Sequence, residues 1–466
     1  MQQKLSFGEK FGYSLGDLGA NIIFQALLTL QFYFYTAVFG LTAAQAGTLF
    51  LVVGLGVACL NPVMGVIADR TNTRWGKFRP WLLWTALPFG VVGVLTFTTP
   101  NLSPAAKIVY AWVTYTLLRV IYTANNVPYA SMNAVITTDP DERLSIAVYR
   151  QIAANFAGLI IGSLAIPMVG WLGHGNDALG FQLTMGLLLV LSMVLFVITF
   201  FATKERIQPD PQQKTSLAQD LADLFQNRPW VVLFLATVFY FGAIAMRGSV
   251  MLPYFRYVAL NVNLFPWFSA FSLASLILGV ACSAFVNARM DKRHIFIGSM
   301  LLTAALSAVL LFLPATNPAF FHLRLLSHTL NIPFSSVFLS EILRQFSYGL
   351  SGGIIWAMMG DVADYGEWKT GRRASGTVTA AVVFGLWAGL ALGGALASWI
   401  LAGYGFASKA NLQTAHAQTG IVMTASVYAA LAFLGAAVCF LFYPVSREMN
   451  QKIAAELAER RKGFAS

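Results

Sequence analysis

Charge is scarce in this chain: Asp, Glu, Lys and Arg make up 11% of its 466 residues, where an ordinary soluble domain carries roughly 25%. Hydrophobic residues make up 57% and the mean hydropathy is +0.67, which leaves little sequence for a soluble domain. Cysteine is nearly absent. Cys59, Cys282 and Cys439 lie far apart inside apolar runs, which excludes redox or zinc-ligand spacing and makes them small packing residues. The five histidines are scattered, so the acid and histidine cluster that a membrane-surface transferase would need is missing, and no metal or cofactor is implied. A sensor would add a soluble output domain, which the chain also lacks.

Long apolar runs are what the chain has. Roughly 20 such residues cross about 30 Å of hydrocarbon, and about twelve stretches of that length follow one another. They fall near 12–36, 44–68, 80–99, 105–134, 146–171 and 180–203, then near 231–255, 264–287, 294–314, 336–363, 375–404 and 419–443. The first is interrupted by Asp17 and Asn21 and has no small-residue cleavage site, so it reads as a span and not as a removed signal peptide. The expected organisation is an all-α integral membrane protein with twelve transmembrane helices in two six-helix bundles, residues 1–203 and 231–443. A connector spans 204–230 and a tail 444–466. Six spans, a polar connector and six more suit a transporter whose solute site lies near the midplane.

The net charge of +11 follows membrane topology and does not indicate nucleic acid. This placement of the spans puts about 22 Lys and Arg on one side of the membrane and about four on the other, and the crowded side is expected to face the cytoplasm. Both termini then lie there, in a bacterial-type inner membrane, and the chain is expected to act as a monomer in the lipid bilayer. The second span runs into "GVIADRTNTRWGKFRP" and the eighth into "NARMDKRHIFIG", a faint internal repeat. Residues 315–333, with His322 and His328, are expected to form an external interfacial helix, and "REMNQKIAAELAERRKGFAS" a helix on the cytoplasmic surface.

An ionisable group inside a span is a functional candidate, because it costs several kcal/mol unless paired or hydrated. Asp17 and Asn21 are one turn apart and share a helix face. Asp17 either touches solute or a proton, or is held by an arginine that locks helices together. Asn125 and Asn126 precede Pro128, so a broken polar segment is expected in the fourth span. Arg150 suits sugar hydroxyls or a carboxylate, or else a salt bridge to an Asp at a helix end. Glu341 and Arg344 are spaced i,i+3, as a pair that satisfies itself near the outer end of the tenth span. The remaining intramembrane arginines are Arg119 and Arg247. Trp356 and Trp387 could stack on the CH faces of a sugar ring or simply pack, and Tyr122 completes the list of solute-binding candidates.

The runs "ADRTNTRWGKFRPW", "YTANNVPYASMNAVITTDPDERLS" and "WAMMGDVADYGEWKTGRRASG" resemble the glycoside, pentoside and hexuronide:cation symporters, the melibiose-permease-like branch of the major facilitator superfamily. The resemblance covers the chain except for residues 315–333. It implies alternating access and carriage of a sugar with a cation. The sugar site would fall on Asn21, Asn126, Arg150 and Trp387, beside Ala20 and Ala130, and the cation site on Val57, Asn61 and Thr123. Asp69, Arg70, Lys77, Arg79, Asp361, Asp364, Arg372 and Arg373 would form the conformational loops.

Both sites depart from the family pattern. Asn21 and Asn126 stand where melibiose-type members carry acids, and Trp387 stands where they carry a lysine. Sodium-coupled members place two carboxylates at the positions of Val57 and Asn61, and a lone amide oxygen is a poor substitute for them. The expectation is a sugar transporter coupled to protons through Asp17 or Glu341 and not to sodium; the alternative is a cation-independent uniporter or an efflux carrier.

Overall fold

The structure, a computed structural model, describes residues 5–137, 140–206, 227–314, 319–325, 328–370 and 375–465. Each expected span is helical. The helices are α1 (Phe7–Thr29), α2 (Ala43–Arg70), α3 (Arg79–Thr96), α4 (Pro104–Ile136), α5 (Pro140–Gly173), α6 (Asp177–Ala202), α7 (Arg228–Pro253), α8 (Phe265–Arg289), α9 (Lys292–Val309), α10 (Ser336–Ser351), α11 (Ile354–Thr370), α12 (Ser375–Gly403), α13 (Ala415–Met423) and α14 (Ala429–Leu441). α10 and α11 divide the tenth span at Gly352 and Gly353, and α13 and α14 divide the twelfth at a π-helical turn, Thr424–Tyr428. Among the described residues, eight helices are long and apolar enough to cross a membrane, and a ninth span is made by α1 with its continuation to Phe39, bent by 56°. α15 (Arg447–Ala465) is the tail helix. Most of the connector lies outside the described residues.

Local chemistry starts these helices. Ser6 accepts from the Glu9 amide at the head of α1, Thr42 and Gln45 form a reciprocal capping box at α2, and Asp291 caps α9. Within 315–333 the described residues depart from the expected helix. Ala319–Leu325 (β1) and His328–Phe334 (β2) pair antiparallel, with Ala319 opposite Phe334 and Leu325 opposite His328. The run Phe320-Phe321-His322-Leu323-Arg324-Leu325 alternates with a period near two, which a strand resolves into two faces and a helix would scatter. Pro333 has no amide to give a helix ladder, and a short edge strand tolerates it.

Two compact units emerge. The first comprises residues 1–212, 248–270 and 398–418, and the second residues 213–247, 271–397 and 419–466. In the first, α1 packs on α5 and α6, and α3 packs on α4 and α6. In the second, α9 packs on α10 and α14 over a core that includes Trp230, Tyr240, Phe296, Met358 and Phe433. There Tyr240 stacks on Tyr348 and Phe296 on Phe440, at centroid distances of 4.9 and 3.9 Å.

The basic loop after α2 is built around an acid from beyond α6. The Glu205 carboxylate accepts the backbone N–H groups of Lys77, Phe78 and Arg79, each at 2.8 Å, and so satisfies the open donors at the start of α3. Gly76 turns at φ +112°, and a Cβ there would lie 2.4 Å from the Glu205 carboxyl carbon. Arg79 donates to the Phe200 carbonyl at the end of α6 at 2.6 Å. The faint repeat has a physical counterpart: in the second unit Arg293 donates to the Leu441 carbonyl at the end of α14, also at 2.6 Å. Asp291, already the cap of α9, accepts the Arg447 amide at 3.0 Å.

Glu205→Ala leaves three donors at the head of α3 without their carboxylate, and is expected to cost about 1–3 kcal/mol. The check is the thermal midpoint of the detergent-solubilised protein, which should fall; an unchanged midpoint would mean that water replaces the carboxylate at no cost.

Candidate functional site

In the first unit the polar site rests on two tyrosines. Tyr13 on α1 donates its hydroxyl to the Tyr129 carbonyl at 2.8 Å, and Tyr129 on α4 donates to the Tyr13 carbonyl at 2.7 Å, with the rings stacked 4.7 Å apart. Gly16 makes room for this, since a Cβ there would come within 2.6 Å of the Tyr129 ring. The reciprocal bond bears on Pro128. α4 runs unbroken through that residue, contrary to the expected break, because the next residue is anchored by side chain and carbonyl alike, which offsets the bond that proline deletes.

Arg150 on α5 lies over both rings, 5.8 Å from the centre of Tyr13 and 5.0 Å from that of Tyr129, where each ring face attracts a cation. Its Nη2 is 3.2 Å from Oδ1 of Asp17, a long contact for a charge-assisted pair. The arginine partner raised for Asp17 in the sequence is therefore present. It is a residue within α5, 133 positions along the chain. Asp17 is 7% exposed. Asn21 donates to the Asp17 backbone carbonyl at 2.9 Å, so Asp17, Asn21 and Arg150 gather on the facing sides of α1 and α5.

The other candidates of this unit lie on α1, α2 and α4. Asn126 is half-buried, and Tyr122 and Thr123 are buried one turn earlier on α4. Asn125 donates to Thr85 on α3 at 2.8 Å, while its own side-chain oxygen is buried with no hydrogen-bond partner. On α2, Val57 is buried and Asn61 half-buried. Ala20 is buried and Ala130 exposed.

The second unit holds the most enclosed charges. Glu341 and Arg344 do pair at i,i+3, through Arg344 Nη2 at 2.5 Å and Nε at 3.0 Å. Arg247 of α7 joins at 2.6 Å and the Ser272 hydroxyl of α8 at 3.1 Å. Arg247 also donates to the Ala425 carbonyl in the π-helical turn of the twelfth span. All three ionised groups are 5% exposed or less. The i,i+3 spacing marked the pair, but nothing local pointed to Arg247, 94 positions away. Trp356 is 48% exposed and Trp387 half-buried.

Of the loop residues, Arg70 is exposed, Lys77 and Arg79 take part in the Glu205 cap, and Asp361 pairs with Lys292 at 2.7 Å. Asp364 is half-buried. The Asp69 side chain and all of Arg372 and Arg373 lie outside the described residues. Three acids went unmarked in the sequence. Glu205 is one; Glu9 takes both ends of the Arg206 guanidinium at 2.7 and 2.8 Å, and Glu142 pairs with Lys10 at 2.7 Å. The Glu9 bonds, with its charge, hold the Arg206 proton more tightly than usual. Each of these acids is fixed by a partner distant in the chain, so nothing local in the sequence pointed to it.

Comparison with known proteins joins these features. The chain is 36% identical over 468 residues to the inner membrane symporter YicJ of Escherichia coli (strain K12), covering 98% of this chain and 96% of that one. It is 34% identical to the isoprimeverose transporter of Lactiplantibacillus pentosus, covering 97% and 92%. The solved D-xylose-proton symporter superposes with a TM-score of 0.62 at 13% identity over 92% of this chain and 97% of that one, a likeness of fold alone. Residues 12–447 match the family described as MFS/sugar transport protein. With the helical spans and the charges buried among them, this match shows that the chain belongs to the MFS/sugar transport protein family, whose members are multi-pass membrane transporters and not enzymes.

Proposed function

We propose that this protein carries a sugar or glycoside across a bacterial inner membrane by alternating access between two six-span halves, residues 1–203 and 231–443, in symport with a proton and not with sodium. Both termini then face the cytoplasm, the side that the basic loops favour. The observation that carries the reading is the Asp17–Arg150 pair: one acid against one arginine, enclosed between α1 and α5 and joined by a single 3.2 Å contact. A proton on Asp17 cancels its charge and releases the Arg150 fork, which then has donors for solute hydroxyls. Asn21 and Asn126 add neutral hydrogen-bonding groups on α1 and α4. Trp356 and Trp387 are the ring-stacking candidates of the second unit.

Two further features support the choice of ion. Val57 and Asn61 offer α2 a methyl-bearing side chain and one amide, where a hard cation wants charged oxygens. Glu341, the second acid raised in the sequence, already accepts two arginines and a serine, so a proton there would displace charge-assisted bonds. Asp17, with its single long contact, is the better proton carrier of the two.

Proteoliposomes under an imposed proton gradient, a sodium gradient or neither test this with a panel of radiolabelled glycosides and pentosides. Accumulation above equilibrium is expected with inward protons alone. Accumulation driven by sodium would overturn the choice of ion, and equilibration under all three conditions would identify a uniporter. Asp17→Asn, which keeps the shape and removes the titratable group, should abolish proton-driven accumulation while leaving exchange of labelled for unlabelled solute within about tenfold of wild type. Retained accumulation would remove Asp17 from the mechanism.

A further inference from the structure

Loading a proton onto Asp17 creates a difficulty for its partner. Among the described residues, Asp17 is the one acid paired with Arg150, at 3.2 Å. Once that acid is neutral the guanidinium still keeps its charge, because arginine does not give up its proton. An unpaired cation enclosed among helices is costly, and the cost falls on the loading step itself. Some group other than Asp17 has to meet it. The guanidinium carbon of Arg150 lies 5.8 Å from the ring centre of Tyr13 and 5.0 Å from that of Tyr129. Both distances are within the roughly 6 Å reach of a ring face on a cation. Both tyrosines are closed from solvent, so water does not compete for the contact. Their hydroxyls are already spent, each on the other's backbone carbonyl, and those bonds hold the two rings stacked. What is left for the arginine is the ring face, which attracts charge without using an N–H donor.

We infer that the stacked Tyr13–Tyr129 rings are the standby partner of Arg150, holding its guanidinium in place while Asp17 carries a proton. The inference rests on the reading that Asp17 is the proton carrier, and it adds what makes that proton affordable. Tyr13 and Tyr129 are then positioning residues: they act on Asp17 and on solute through Arg150. The ring faces leave the N–H donors of the arginine for solute hydroxyls, whereas a second carboxylate in their place would engage those donors and cancel the charge. Around Asp17, α1 offers Tyr13, α5 offers Arg150, and α4 offers Tyr122 and Tyr129, with Arg119 one turn before Tyr122. On α6 Thr199 lies against Gly16, and the single charged residue of that helix, Asp177, is at its opposite end. The two rings are therefore the groups in contact with Arg150 that keep their attraction for it when Asp17 is neutral.

Infrared difference spectroscopy tests this on the full chain purified in detergent, without any solute. The C=O stretch of protonated Asp17, identified as the carboxyl band missing from Asp17→Asn, is followed as the pH is varied. Tyr129→Phe keeps the ring and should leave the pH of half-protonation within about 0.3 of the wild-type value. Adding one, two and then three fluorines to that phenylalanine ring withdraws charge from its face at nearly constant shape, so folding is preserved. The pH of half-protonation should then fall stepwise, by about half a unit or more in total, roughly threefold in proton affinity. The fall is expected because a weaker ring face holds the cation less well beside a neutral Asp17, whereas the ionised carboxylate holds it in any case. No movement across the fluorinated series would overturn the inference and leave Asp17 as the proton carrier. A fall in Tyr129→Phe as large as that with the trifluorinated ring would assign the effect to the hydroxyl, and would overturn it too. If no carboxyl band is missing from Asp17→Asn at any pH the protein withstands, the proton is not on Asp17 and both readings fall, a result visible before any tyrosine is changed.

Discussion

A charge inside hydrocarbon has to find its counter-charge within the protein, and the polar interior of this molecule is organised by that demand. The chain meets it in two ways. In the first unit Asp17 faces Arg150 one to one, at 3.2 Å, with Tyr13 and Tyr129 offering their ring faces to the arginine. In the second, Glu341 is held by two arginines at 2.5 and 2.6 Å with a serine hydroxyl in support. A long, single contact suits a group that must let go during a cycle. A short contact with several donors suits one that stays fixed.

These clusters need rigid surroundings, and the loops at the basic end of each unit supply them in parallel. Arg79 and Arg293, each near the start of a third helix, donate to the last carbonyls of α6 and α14. Glu205 and Asp291, acids at the same ends, accept backbone amides that would otherwise stay open. Such ties between the third and sixth helices hold each unit together at its basic end.

Elements whose cause is local were legible in the sequence, and elements fixed by distant contacts were not. The helices of the expected spans could be placed from apolar run length, and the Glu341–Arg344 pair from its i,i+3 spacing. The Asp17–Arg150 pairing was one of two open readings, because a lone acid and a lone arginine 133 positions apart carry no register between them. The strands β1 and β2 were missed because a short stretch with aromatics and leucines suits either an interfacial helix or a hairpin, and its period-two alternation was the deciding feature. Pro128 signalled a break that Tyr13 and Tyr129 prevent, through bonds 116 positions apart. Glu205 sits in a polar stretch that reads as connector; only the Gly76 turn and the three amides around it disclose its role.

The central claim is that Asp17 gains a proton as Arg150 turns to the solute. Calorimetric titration of a transported glycoside into the purified protein, in two buffers of equal pH but different ionisation enthalpy, counts the protons taken up per solute bound. The account predicts an uptake approaching one proton near neutral pH in the wild type and none in Asp17→Asn, with solute still bound. Equal heats in both buffers for the wild type, or a proton still taken up by Asp17→Asn, would contradict it.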